Sequence, residues 1–117
     1  MSSADNRAYK DFIDGLASLA ASVAGARIRK GEPIFTGFAD KNEKYNQLLS
    51  KLDSETREMV ADLLDQAHSG GIHDSLAFLE AGNYRISHEG ASLPHQPFGT
   101  ELFFDFVSRR EGDPWPE

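Results

Sequence analysis

The chain contains no cysteine. That excludes a disulfide framework, a thiolate nucleophile and any cysteine-ligated zinc or iron–sulfur site. It suits a reducing compartment, so a cytoplasmic location is expected. Long apolar runs are missing too: nothing approaches the roughly 18 uninterrupted apolar residues that a membrane helix needs, and no membrane partner is expected. The stretch Gly15–Ala26 ends like a signal-peptidase site, but Asp5, Asp11 and Asp14 precede it against only Arg7 and Lys10. A secretory leader begins positive, so none is expected here.

Positive charge is also scarce. Twelve Lys and Arg face nineteen Asp and Glu, for a net charge of −7. The imbalance is uneven, because residues 1–52 sum to +2 and residues 53–117 to −9. A sequence-independent nucleic-acid binder needs the opposite sign, and no nucleic-acid partner is expected. Nucleotide and nucleophile motifs are absent as well: no Gly-x-Ser-x-Gly, no Walker loop and no Gly-x-Gly-x-x-Gly. The nearest glycine-rich run, Ser69-Gly70-Gly71, is too short to cradle a phosphate. No cofactor and no metal are expected.

What is present is helical periodicity. From about 4 to 30, Tyr9, Phe12, Leu16, Leu19 and Val23 recur at spacings of 3 and 4, with Ile13 and Ala20 widening the stripe. This predicts one long helix, ended by Gly31 and Pro33. Its other face, from Ala17 to Gly25, is small and uncharged, which fits close packing or a homo-oligomer contact. Ile34, Phe35 and Phe38 are expected to anchor the loop that follows.

A helix over about 41–52 uses Tyr45, Leu48, Leu49 and Leu52. Another over 54–68, capped by Asp53 or Ser54, turns Met59, Val60, Leu63, Leu64 and Ala67 inward and ends at Gly70-Gly71. A further short helix over 72–81 uses Ile72, Leu76 and Leu79. Residues 83–94 switch to a period of two around Glu89-Gly90, which reads as a β-hairpin or arm. The block over 100–111 carries Leu102, Phe103, Phe106 and Val107 in a helical pattern and Leu102, Phe104 and Phe106 in a strand pattern. Thr100 as N-cap, Arg109 and Arg110 in the last turn, and Gly112 with Pro114 as a stop favour helix. Under that reading Phe104 and Asp105 point away from the core. The one tryptophan, Trp115, is expected to tuck back onto the domain. The fold class is therefore mostly α (α+β): a compact helical single domain over 1–117 with a minor β-arm and an aromatic C-terminal element.

Two features bear on function. Glu55, Glu58, Asp62 and Asp65, spaced 3, 4 and 3, put four carboxylates on one helical face. They point to a partner protein with a basic surface, such as a toxin, and to an inhibitor or immunity-type role. The second feature is His73 with Asp74 at a helix start, beside His68, His88 and His95. It carries the alternative, a small enzyme or ligand-binding domain. A homo-oligomeric structural protein is the third reading. None of these motifs singles out a catalytic residue.

Two stretches, Gly71-Ile-His-Asp-Ser-Leu-Ala-Phe-Leu79 and the block from Pro97 through Phe98-Gly-Thr-Glu-Leu to Asp113-Pro-Trp-Pro-Glu117, resemble a family of small uncharacterised bacterial proteins. The resemblance covers about residues 43–117 and leaves the first helix outside it. It implies a bacterial, stand-alone, one-domain protein and brings no assigned activity.

Overall fold

The computed structural model describes the backbone of residues 3–34 and 40–116, and the side chains of 6–34 and 42–116. The chain is mostly helical, in the order α1 (Ser3–Ser18), α2 (Val23–Lys30), α3 (Asp40–Ser50), α4 (Ser54–Ala81), β1 (Ser87–His88), β2 (Ala91–Ser92) and α5 (Leu102–Arg110). Its internal contacts fall into two compact units, residues 21–69 and residues 1–20 with 70–117. Helix α4 contributes to both.

The single helix expected over 4–30 is two helices. Helix α1 stops at Ser18, whose hydroxyl donates to Gly15 O at 2.6 Å. Helix α2 starts afresh behind Ser22, an extended N-cap residue (φ −84°, ψ 148°) that accepts from Gly25 N at 2.8 Å. Serine hydroxyls offer the backbone alternatives to the helical ladder, and two of them four residues apart break it. The apolar stripe is correspondingly shorter. Tyr9 and Ile13 are fully buried, whereas Leu19 and Val23 are exposed. The small-residue face is divided between two helices, with Ala17 and Ser18 on one side of the break and Ser22, Ala24 and Gly25 on the other.

The expected break at Gly70-Gly71 does not occur. Helix α4 runs unbroken from Ser54 to Ala81, with Ser69 buried before the glycines and Leu76 buried after them. A glycine costs a helix about 1 kcal/mol relative to alanine, and that is not enough to end one that is held by packing on both sides. The helix starts as expected at Asp53, whose Oδ1 accepts from Thr56 N at 2.7 Å.

In residues 21–69 the buried centre is Ile28 and Ala61. The helical faces here are rotated from the expected ones. Met59 and Leu63 of α4 and Tyr45 and Leu48 of α3 are exposed rather than inward. The reason is close packing of α2 on α4. A Cβ on Gly25 would lie 2.5 Å from Asp65 Oδ1 and 3.1 Å from Ala61 O, so the small face of α2 sets which side of α4 turns inward. Ile34 is half-buried, and the other expected loop anchors, Phe35 and Phe38, lie outside the described residues.

In the other unit, α1 packs on α5 around Tyr9, Ile13 and Phe106. The β-arm is a two-residue hairpin pairing Ser87 with Ser92 and His88 with Ala91. Its turn residues Glu89 and Gly90 both have positive φ, 51° and 83°, which suits the twist of a tight hairpin. The C-terminal block is a helix, not a strand, and Phe104 points to solvent as expected. Asp105, expected to point away, is buried, and the residue at the N-cap position is Glu101 instead of Thr100. Both departures centre on the Asp105 carboxylate, which accepts from the Tyr9 hydroxyl of α1 and from the Thr100 hydroxyl, so that Thr100 does not cap the helix.

Candidate functional site

Two polar constellations stand out, one in each unit. In residues 21–69 the Arg29 guanidinium of α2 meets three carboxylates of α4. Its Nε lies 2.6 Å from Glu58 Oε2, Nη2 2.7 Å from Asp62 Oδ1 and Nη1 2.9 Å from Asp65 Oδ2. Asp65, then Glu58 and Asp62, hold the guanidinium charged even more firmly than in a free arginine. Asp65 also accepts from the backbone N–H and the hydroxyl of Ser22, each at 2.8 Å. Burial by itself would raise the Asp65 pKa, but the two Ser22 donors and Arg29 outweigh it and hold the carboxyl below its ordinary value.

Three of the four carboxylates singled out in the sequence thus converge on one internal cation, and Glu55 stands exposed one turn before them. The side chains of Glu58 and Asp62 remain 60% and 64% exposed even so. Arg29 offsets one of the four charges. Beside them Met59 and Leu63, one turn apart, are 61% and 64% exposed. The sequence could not reveal this arrangement. Arg29 reads as one of three basic residues at a helix C-terminus, and Met59 and Leu63 read as core.

In the other unit Tyr9, only 1% exposed, donates its hydroxyl to Asp105 Oδ2, and Thr100 donates to Oδ1 of the same carboxylate. Burial, then this hydrogen bond and the charges of Asp105 and Glu80, push the Tyr9 hydroxyl pKa far above its ordinary 10.0, against the pull of Arg109. Tyr9 is therefore a donor held in its neutral form. Glu80 of α4 takes over the capping of α5, accepting from Leu102 N at 2.8 Å, while Glu101 makes no side-chain cap. Above this cluster the rings of Tyr9, Phe98 and Trp115 meet at 5.2–6.2 Å. Trp115 does fold back, stacked on Arg109 at 4.2 Å and donating its indole N–H to Asp14 at 3.0 Å. Tyr9, Thr100 and Asp105 satisfy one another as a structural knot does, whereas the buried Nε and Nη1 of Arg109 beside them have no hydrogen-bond partner.

Three of the four histidines lie near separate carboxylates. His73 Nδ1 lies 3.1 Å from exposed Asp74 and its ring stands edge-on to Phe103. His88 faces Glu89 at 3.8 Å and His95 faces Glu80 at 3.9 Å. His95 lines a shallow cleft with Tyr9, Tyr84, Ile86, Pro94 and Leu102. Among the described residues, no group of three or more histidine or acidic side chains is placed to hold a metal ion. None of the described helices is long and apolar enough to cross a membrane.

A mostly helical chain with an acidic, partly apolar face on its longest helix defines only a broad class. The chain belongs to a family of unknown function (DUF6547), whose model matches residues 2–117. That match extends over the first helix, beyond the stretch from about residue 43 on which the resemblance rested. No curated protein and no solved structure matches the chain.

Proposed function

We propose that this chain is a bacterial, cytoplasmic protein-binding module whose partner docks on the outer face of α4. The observation that carries this reading is the exposure of Met59 and Leu63 beside Glu55, Glu58 and Asp62. Large apolar side chains left in water on a charged face mark contact surfaces. The acidic edge selects a partner with a basic rim and speeds its encounter. Apolar contact at the centre supplies affinity and the carboxylates supply selectivity. An inhibitor or immunity-type protein that masks a basic active surface, such as a toxin's, uses such a face.

The test is photo-crosslinking in the native host with a reactive methionine analogue at position 59. The expected result is one dominant adduct, lost in the Leu63→Glu variant and weakened by high salt. The purified partner should then rebind the wild-type chain. If Leu63→Glu captured the same adducts as wild type, the α4 face would be ruled out.

A further inference from the structure

Helix α3 carries a second exposed stripe in the same unit. Lys44, Leu48 and Lys51 fall at positions i, i+4 and i+7 on one helical face. Lys51 lies one residue past the end of α3, in a turn closed by its N–H on Leu48 O at 3.2 Å. All three residues are exposed, Leu48 to 62%. On α4, Glu55, Met59 and Asp62 fall at the same i, i+4 and i+7 spacing and are exposed as well. One stripe reads positive–apolar–positive and the other negative–apolar–negative. Because both are open to solvent, neither covers the other within one chain.

We infer that the occupant of the α4 face is α3 of a second copy of this chain. Laid along α4, the α3 stripe sets Leu48 on Met59 and its two lysines against Glu55 and Asp62. A two-fold axis lets each copy give its α3 and receive on its α4, so both stripes of both copies are used. The charges argue against pairing of α4 with α4. The charged side chains that α4 itself turns outward from Glu55 to Gln66 are all carboxylates, since Arg57 is turned inward with its Nη2 3.1 Å from Leu52 O, and Arg29 of α2 offsets only one of them. Like charges across such a contact are repulsive. The inference rests on the α4 face being a docking surface and adds that self-association covers it, so that a basic partner competes with the second copy.

The experiment is sedimentation equilibrium over a concentration series, with circular dichroism to confirm folding. The wild-type chain is expected to pass from monomer to dimer mass as concentration rises, less readily in high salt. Two variants change the charge of one stripe each without touching the Arg29 cluster. Lys44→Glu with Lys51→Glu reverses the α3 stripe, and Glu55→Lys with Gln66→Lys, about one turn beyond Asp62, turns the α4 stripe from net negative to net positive around Asp62. Each alone should associate about tenfold more weakly or worse, and their equimolar mixture should regain the dimer. A wild-type chain that stays monomeric into the millimolar range overturns the inference, as does a mixture no better than its components. A monomer that still forms the position-59 adduct with another protein would sink self-association and leave the proposed function standing. A dimer without any such adduct would do the reverse.

Discussion

The two polar knots use similar parts in opposite settings. In the Arg29 cluster, one cation of α2 holds three carboxylates at the surface. In the Tyr9–Asp105 cluster, one carboxylate of α5 is held by two neutral hydroxyls in the interior. The charged knot is open to water at Glu58 and Asp62, where water can replace a lost bond, and only Asp65 and Ser22 are shielded. In the buried knot nothing replaces a lost partner, and the group left behind bears the full cost of desolvation. More and stronger-looking contacts therefore do not mean more stability. The surface knot orients α2 on α4 and leaves an acidic face exposed, whereas the interior knot fixes α1 on α5.

Removing one donor from each side breaks the comparison most directly. Tyr9→Phe leaves the buried Asp105 carboxylate one hydrogen bond short and should cost about 1.5–3 kcal/mol in denaturant unfolding. Trp115, which meets the Tyr9 ring at 6.0 Å, reports the change by its fluorescence. Next in size, and of opposite sign, come the α4 glycines. A Cβ on Gly70 or Gly71 meets nothing within 4 Å, and neither has positive φ. Gly70→Ala and Gly71→Ala should each raise stability by about 0.5–1 kcal/mol. A loss in either would mean that the helix needs its glycines for a close approach by something else.

The smallest expected effect is at the surface. Arg29→Gln should shift the unfolding midpoint slightly at low salt and not at all at high salt, because exposed ion pairs are screened. pH sharpens the contrast between the knots. The folded Asp65 pKa lies below its unfolded value, so its contribution is present near neutrality and lost as pH falls through the folded value. The folded Tyr9 pKa lies above its ordinary 10.0, so its contribution is present below pH 10.0 and declines as pH rises beyond it. Amide exchange resolved by segment should show residues 54–66 loosening first in acid and the α1–α5 pair first in alkali. Tyr9→Phe should remove the alkaline response and leave the acid one.

Much of the secondary structure was legible because its signals are local. The 3.6-residue period marks the helical segments, though not the break between α1 and α2 or the continuity of α4. Asp53 caps α4, Glu89-Gly90 turns the hairpin, and the last-turn and stop signals of the last block chose helix over strand. The four-carboxylate stripe was legible for the same reason, since helical spacing alone puts those residues on one face. The errors lie where a distant residue decided the outcome. Ser22 became a cap partly because Asp65, 43 residues away, accepts its N–H and hydroxyl. Asp105 turned inward because Tyr9, 96 residues away, meets it there. Met59 and Leu63 face out because Gly25 admits only one side of α4 at close range.

Sequence by itself determined that this chain is helical, acidic and furnished with an amphipathic stripe, because each of those properties depends on residues within a few turns of one another. Which face of each helix is buried, where the long first helix breaks, and what the carboxylate stripe meets were decided only in the tertiary structure. Those outcomes turn on single close approaches between residues far apart in the chain, and no local period encodes them.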